Sequence, residues 1–316
     1  MSVLKRIVSM LLLLILTGIS FPGRASDISY RSVEIGGMTY LIEDPSRFYQ
    51  PRYIAKQAES LYQGLKDHPE IKTYVYLVNS SRTVDILGDV TGEPKMFGDI
   101  RSCFSESETD YLRFASLEDY GQYFYTTDHH WNYRGSYAGY RQIVRMLLGE
   151  DEPVLEPAET VTFPVKFNGS LNKNTHRSDS KEDFTVYRFD YPKMKLEIDG
   201  KPRSSYGNQE AYFSGRFSLS ALANHYNNFY GGEVGVLHAD TGRKDRGNLL
   251  VFSNSMSDAL NLLLASHFSQ TWIVDIKHYR GGNGFFHISE MADEWGIDQV
   301  LILGDGYYFA QEYRYQ

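Results

Sequence analysis

The sequence predicts an α/β protein built on a parallel sheet with helices on both faces, and three observations predict it. The C-terminal third alternates strand and helix at short intervals. Apolar, β-rich runs at 249–252, 272–276 and 300–303 are separated by helix-patterned segments at 257–268 and 288–295. Such succession forms parallel sheets, because each crossover helix packs back onto the sheet it has just left. A further β-rich run at 71–78 supplies a central strand. Finally, 316 residues that are 42% hydrophobic and 23% charged suffice for one large domain or two small ones, and exclude a disordered, collagen-like or rod-like chain.

Residues 1–26 read as a signal peptide or membrane anchor. Lys5 and Arg6 precede an apolar stretch over 7–21, Pro22-Gly23 breaks it, and the small residues Ala25 and Ser26 follow. The stretch is short for a full bilayer span, which needs about 20 residues. Residues 27–316 then form a single domain. Alternation around Gly36-Gly37 over 31–42 predicts a hairpin. Ile54, Ala58, Leu61 and Leu65 fall on one face of a helix over 50–67. The strand at 71–78 is followed by a polar stretch and then by the aromatic run Tyr123-Phe124-Tyr125. A helix spans 133–148 with Asn132 as its N-cap. A Glu- and Pro-rich linker covers 150–160, and strand-like pieces stand at 185–189 and 194–198.

The formal net charge of −8 argues against nucleic acid as a partner. Cys103 is the one cysteine, so neither an internal disulfide nor a cysteine-based zinc or iron–sulfur site can form. The 25 tyrosines suit either sugar-facing surfaces or core packing.

Two segments carry candidate chemistry. The first is Thr127-Asp128-His129-His130-Trp131-Asn132, between the aromatic run and the helix. In extended chain, residues i and i+2 share a side, so Asp128 would lie beside His130 and orient its imidazole, with His129 facing away. That pair is the base and orienter of a nucleophilic triad. A metal site or a packed polar turn fits the same residues, although adjacent histidines on extended chain diverge. The second segment is the strand 249–252 running into Ser253-Asn254-Ser255-Met256-Ser257-Asp258. A serine at the C-terminal edge of a parallel sheet is placed for catalysis, and the N–H groups behind it can receive an oxyanion. Ser255 is equally a candidate helix cap, with Asp258 at capping-box spacing.

The string Tyr125-Thr126-Thr127-Asp128-His129-His130-Trp131-Asn132 resembles the signature of the DHHW family, which is similar to the alginate O-acetyltransferase proteins. Weaker landmarks follow in the family's order: Phe167-Asn168-Gly169-Ser170-Leu171, the segment from Tyr226 to Phe229-Tyr230-Gly231-Gly232, the strand ending at Ser255, and the strand end from Asp275 to Tyr279. The resemblance implies a flavodoxin-like, SGNH-hydrolase-type three-layer sandwich in permuted order. The small N-terminal hairpin and helix would pack against it, and an insertion at about 155–240 would join the sheet or cover the site. It implies Ser255 as nucleophile, His130 as base and Asp128 as orienter, with the Ser255 N–H as an oxyanion donor. Trp131, Asn254, Lys277 and Tyr279 become candidate substrate or oxyanion residues. Asn254 stands where the family usually has Asp, and Lys277-His278 where it has Arg-Tyr.

The function so implied is O-acetylation of an envelope or secreted polysaccharide by an extracytoplasmic enzyme. A membrane-bound partner would supply the acyl group, and no metal or organic cofactor is implied. The alternatives are an SGNH-type acyl esterase and an inactive carbohydrate-binding or scaffold protein. Of the remaining segments, the Gly-rich loop 279–284 and Asp305-Gly306 read as turns, and His278 and His287 as ordinary polar histidines.

Overall fold

A computed structural model describes residues 30–35, 37–43, 50–81, 92–175, 182–220, 222–232, 234–279 and 285–315. The segment 1–26 expected to be a signal peptide or anchor, and residues 280–284 of the Gly-rich loop, lie outside these. No helix among the described residues is long and apolar enough to cross a membrane.

The sheet is organised around one strand, Leu249–Ser253, in which every residue is buried. A strand without a polar face must be covered on both sides. In chain order the strands are β1 Tyr30–Ile35, β2 Met38–Glu43, β3 Lys72–Val78, β4 Glu108–Tyr111, β5 Glu159–Lys166, β6 Asp183–Arg188, β7 Lys195–Ile198, β8 Lys201–Arg203, β9 Val236–Asp240, β10 Leu249–Ser253, β11 Gln270–Val274 and β12 Gln299–Asp305. Eight of them form the main sheet in the order β4-β3-β12-β10-β11-β9-β7-β8. From β4 to β11 every pairing is parallel. The parallel expectation holds for those five strands, while β9, β7 and β8 extend the sheet by antiparallel pairing. Two hairpins stand apart, β1–β2 and β5–β6.

Side chains alternate strictly across this sheet. Tyr74, Tyr76, Val78, Leu249, Val251, Leu301 and Leu303 face one layer, where Tyr140, Ile143, Val144 and Leu147 of the helix Tyr133–Leu148 meet them. Val75, Leu77, Leu250, Phe252, Val300 and Ile302 face the other, packed by the helices Pro51–Gly64, Lys95–Cys103 and Ile288–Trp295. The result is three layers. A third apolar cluster, separate from both, joins β5 and β6 to the short helices Gln209–Phe213 and His225–Tyr230.

Two expectations change. The polar stretch after β3 contains the helix Lys95–Cys103 and the edge strand β4. The helix buries only Met96, Phe97 and Ile100 in nine residues, too few to stand out against its polar face. The helix expected over 257–268 is broken into a 3₁₀ turn, Ser255–Ser257, and a short helix, Asn261–Ala265. Between them the backbone closes i to i−3, with Leu260 N–H donating to Ser257 O at 2.6 Å. This turns Asp258 and Asn261 inward, where both hydrogen-bond to the Tyr206 hydroxyl.

Trp131 is fully buried against the start of the helix Tyr133–Leu148. Gly139 lets the indole lie on the helix backbone, since a Cβ there would stand 2.5 Å from Trp131 Cζ3 and 2.9 Å from Cη2. Gly139→Ala gains about 1 kcal/mol of helix propensity but overpacks an enclosed ring, at about 1–3 kcal/mol. We expect net destabilisation and a lower thermal midpoint. A midpoint equal to or above wild type would show that the indole can move.

Candidate active site

Residues 125–131 form a tight loop, not the extended strand that i, i+2 reasoning assumed. The isolated bridge between Phe124 and Trp131 closes it, with Tyr125 N–H donating to His130 O and Asn132 N–H to Tyr123 O. Asn132 then caps the following helix, accepting from the N–H groups of Arg134 and Gly135. Asp128 and His130 do meet, through a turn. Asp128 Oδ1 accepts the His130 backbone N–H at 3.0 Å and lies 2.5 Å from His130 Nδ1. His129 does not face away as expected. The bend places its ring 4.0 Å from that of His130 and its Nδ1 2.7 Å from Ser170 Oγ.

The segment Asn168-Gly169-Ser170 supports this loop from behind. Ser170 N–H donates to Asp128 Oδ2 at 2.6 Å, and Gly169 N–H donates to Thr127 Oγ1 at 3.0 Å. The N–H groups of Leu171 and Asn172 converge on Thr127 O. Gly169 is needed for close approach, because a Cβ there would collide with Asp128 Cβ and with Thr127 O. A landmark of little individual weight in the sequence thus provides the second anchor of the carboxylate.

Ser255 follows the C-terminal end of β10. Its Oγ lies 2.7 Å from His130 Nε2. With Nδ1–H donated to Asp128, Nε2 carries the lone pair that accepts the serine hydroxyl. Asn254, not Ser255, is the cap: its Oδ1 accepts the Met256 N–H, and its Nδ2 donates to Asp305 Oδ1 at 3.1 Å. Asp305 also accepts from Ser80 Oγ and from Tyr308 N–H. It is therefore a buried tie between the ends of β3, β10 and β12, where the sequence suggested only a turn. The other candidates lie in different surroundings. Trp131 is enclosed in the core, Lys277 is exposed beyond β11, and Tyr279 packs on Phe286.

Tyr226 was read only as part of a landmark, yet its ring stacks on His130 at 4.1 Å and 17°. Glu182 is a further residue that the sequence did not indicate. Its carboxylate accepts from Thr126 N–H at 2.9 Å and from the hydroxyls of Thr126 and Thr127. Burial alone would raise the Asp128 carboxyl. The His130 and His129 imidazoles, the His130 hydrogen bond and the Ser170 N–H outweigh it and hold the group well below the usual carboxylate range. At Glu182 burial prevails over the threonine hydrogen bonds and pushes the carboxyl up to about 7. Asp128, His129 and His130 also present ligand atoms within 4.8 Å of one another, as a cation site would. Both oxygens of Asp128 already accept N–H groups, so a cation would compete with these bonds.

No protein-family model and no curated protein matches the sequence. Solved structures do match its fold. A DHHW family protein from Eubacterium siraeum is 19% identical, with a TM-score of 0.65, over 90% of this chain and 92% of its own. PatB1 of Bacillus cereus is 15% identical, with a TM-score of 0.64, over 90% of this chain and 98% of its own. A second PatB1 structure, with a sulfonyl adduct, matches at a TM-score of 0.63, with 16% identity over 90% of this chain and 97% of its own. The fold is the expected SGNH-like α/β sandwich.

Glu182 predicts a pH dependence of stability. Its folded value of about 7 lies above the unfolded 4.5, so the folded state holds a proton that the unfolded state releases between these values. The corresponding stability is complete below pH 4.5, falls as pH rises through 7, and is level above it. Glu182→Gln should remove that slope in denaturant unfolding followed between pH 4.5 and 8. An unchanged slope would assign the titration to another group.

Proposed function

We propose that this chain is an exported serine acyltransferase that O-acetylates an envelope or secreted polysaccharide. The observation that carries the proposal is the continuous, largely buried hydrogen-bonded line from Asp128 through His130 to Ser255. Ser255 Oγ attacks the acyl carbonyl as His130 Nε2 takes its proton. Asp128 holds the imidazole in the required tautomer and balances the charge that forms. The Ser255 N–H is the candidate oxyanion donor, its turn held by Asn254 and Asp305. The imidazolium protonates the leaving group, and Ser255 carries the acyl chain. An acceptor hydroxyl then gives its proton to His130 and attacks the acyl carbon. The C–O bond to Ser255 breaks, and the serine recovers its proton.

The leader supports export. An acyl donor outside the membrane requires a supplier, so a membrane-bound partner belongs to the proposal. The same line of residues would serve an esterase, with water as the acceptor.

p-Nitrophenyl acetate tests the chemistry. Ser255→Ala and His130→Ala should each lower turnover by about 10³-fold or more. The sulfonyl adduct of PatB1 makes a sulfonyl fluoride a suitable second probe. Mass spectrometry should find it on Ser255 of wild type and find no label in His130→Ala. Equal turnover in wild type and Ser255→Ala would sink the proposal. Tyr226 gives a separate test, because its ring lies stacked on the His130 imidazole and holds it in place. Tyr226→Leu should lower turnover about tenfold or more, and Tyr226→Phe should stay near wild type. Equal turnover in Tyr226→Leu and wild type would remove that role.

A further inference from the structure

Beside Ser255 lies a narrow notch lined by Tyr206, Ser253, Ser257, Asp258, Asn261 and Asp275, among others. It admits about one water-sized group. A sugar ring cannot enter, but one exocyclic hydroxyl or amine can. The lining oxygens are biased towards accepting. Tyr206 donates its single proton towards Asp258 Oδ1 or Gly232 O, and receives Asn261 Nδ2. Ser253 and Ser257 both donate to Asn254 O. Asn261 is 2% exposed, and its Oδ1 has no hydrogen-bond partner in the protein. A buried acceptor left without a donor costs stability. A donor entering the notch would recover that cost, next to the carboxylate of Asp258.

We infer that this notch is the acceptor subsite, and that it takes a hydroxyl or ammonium group of an uncharged or amino-bearing glycan. Uronate or phosphate groups are disfavoured, because Asp258 and Asp275 would repel them and no cationic side chain among the described residues lines the notch. The inference rests on the acyl-transfer reading and deepens it. In the transfer step the acceptor oxygen bonds to the acyl carbon, the Ser255 ester bond breaks, and the acceptor proton passes through His130 Nε2 back to Ser255 Oγ. The notch holds a neighbouring donor group of the same sugar and so fixes which hydroxyl attacks.

The test separates acylation from transfer. The p-nitrophenol burst from p-nitrophenyl acetate reads acylation of Ser255. Mass spectrometry of added glucosamine, glucose and galacturonate oligosaccharides reads transfer. Wild type should acetylate the glucosamine or glucose oligomers at least tenfold faster than the galacturonate oligomer. Asp258→Asn, which preserves shape, and Tyr206→Phe should each raise the acceptor KM about tenfold or more, with the burst rate within about threefold of wild type. Galacturonate accepted equally well, or an unchanged acceptor KM with the burst intact, would overturn the notch assignment and leave acyl transfer standing. A wild type with no burst would overturn the acyl-transfer reading and the inference with it.

Discussion

Asp128 carries an unusual share of the organisation of this protein. One buried carboxylate accepts the backbone N–H and the ring Nδ1 of His130 on one oxygen and the backbone N–H of Ser170 on the other. It therefore closes its own loop, orients an imidazole and fastens a segment 42 residues away. Each of these donors would be left unsatisfied without it, at roughly 1–3 kcal/mol apiece. The surrounding groups keep it ionised despite burial. Gly169 is the steric counterpart of this charge, since a side chain at that position would hold the two segments apart.

The parallel part of the sheet was legible because its signal is local. Residues 249–252 and 300–303 are apolar without interruption, which only a doubly covered strand requires. Of the antiparallel strands, β7 was legible as a strand-like piece but not in its place, and β8 and β9 were not legible. They are short and half-exposed, and what places them is the succession of pairings from β11 through β9 and β7 to β8, long-range contacts that periodicity does not encode. The helix Lys95–Cys103 was missed for a related reason: its three buried residues meet partners on distant elements.

The site divides in the same way. Asp128 and His130 were found by spacing, although the spacing argument assumed an extended chain and the pair meets through a turn. The same bend brings His129 beside its neighbour. Ser255 was legible from its position at a strand end and from the resemblance. Glu182, Tyr226 and Asp305 were not, because each acts through a fold-dependent contact: with the threonines before Asp128, with the face of His130, and with Asn254. No residue type or interval in the sequence marks such a partner.

The separate aromatic core around Phe163, Phe184, Tyr212 and Phe229 has a consequence for how such a protein can change over time. It shares none of its buried members with the two cores that hold the sheet. Yet it includes Tyr226, whose ring lies on His130. Substitutions there can accumulate without loosening the sheet, while still reshaping the surroundings of the imidazole. A lineage can therefore vary the roof of this site and keep its foundation.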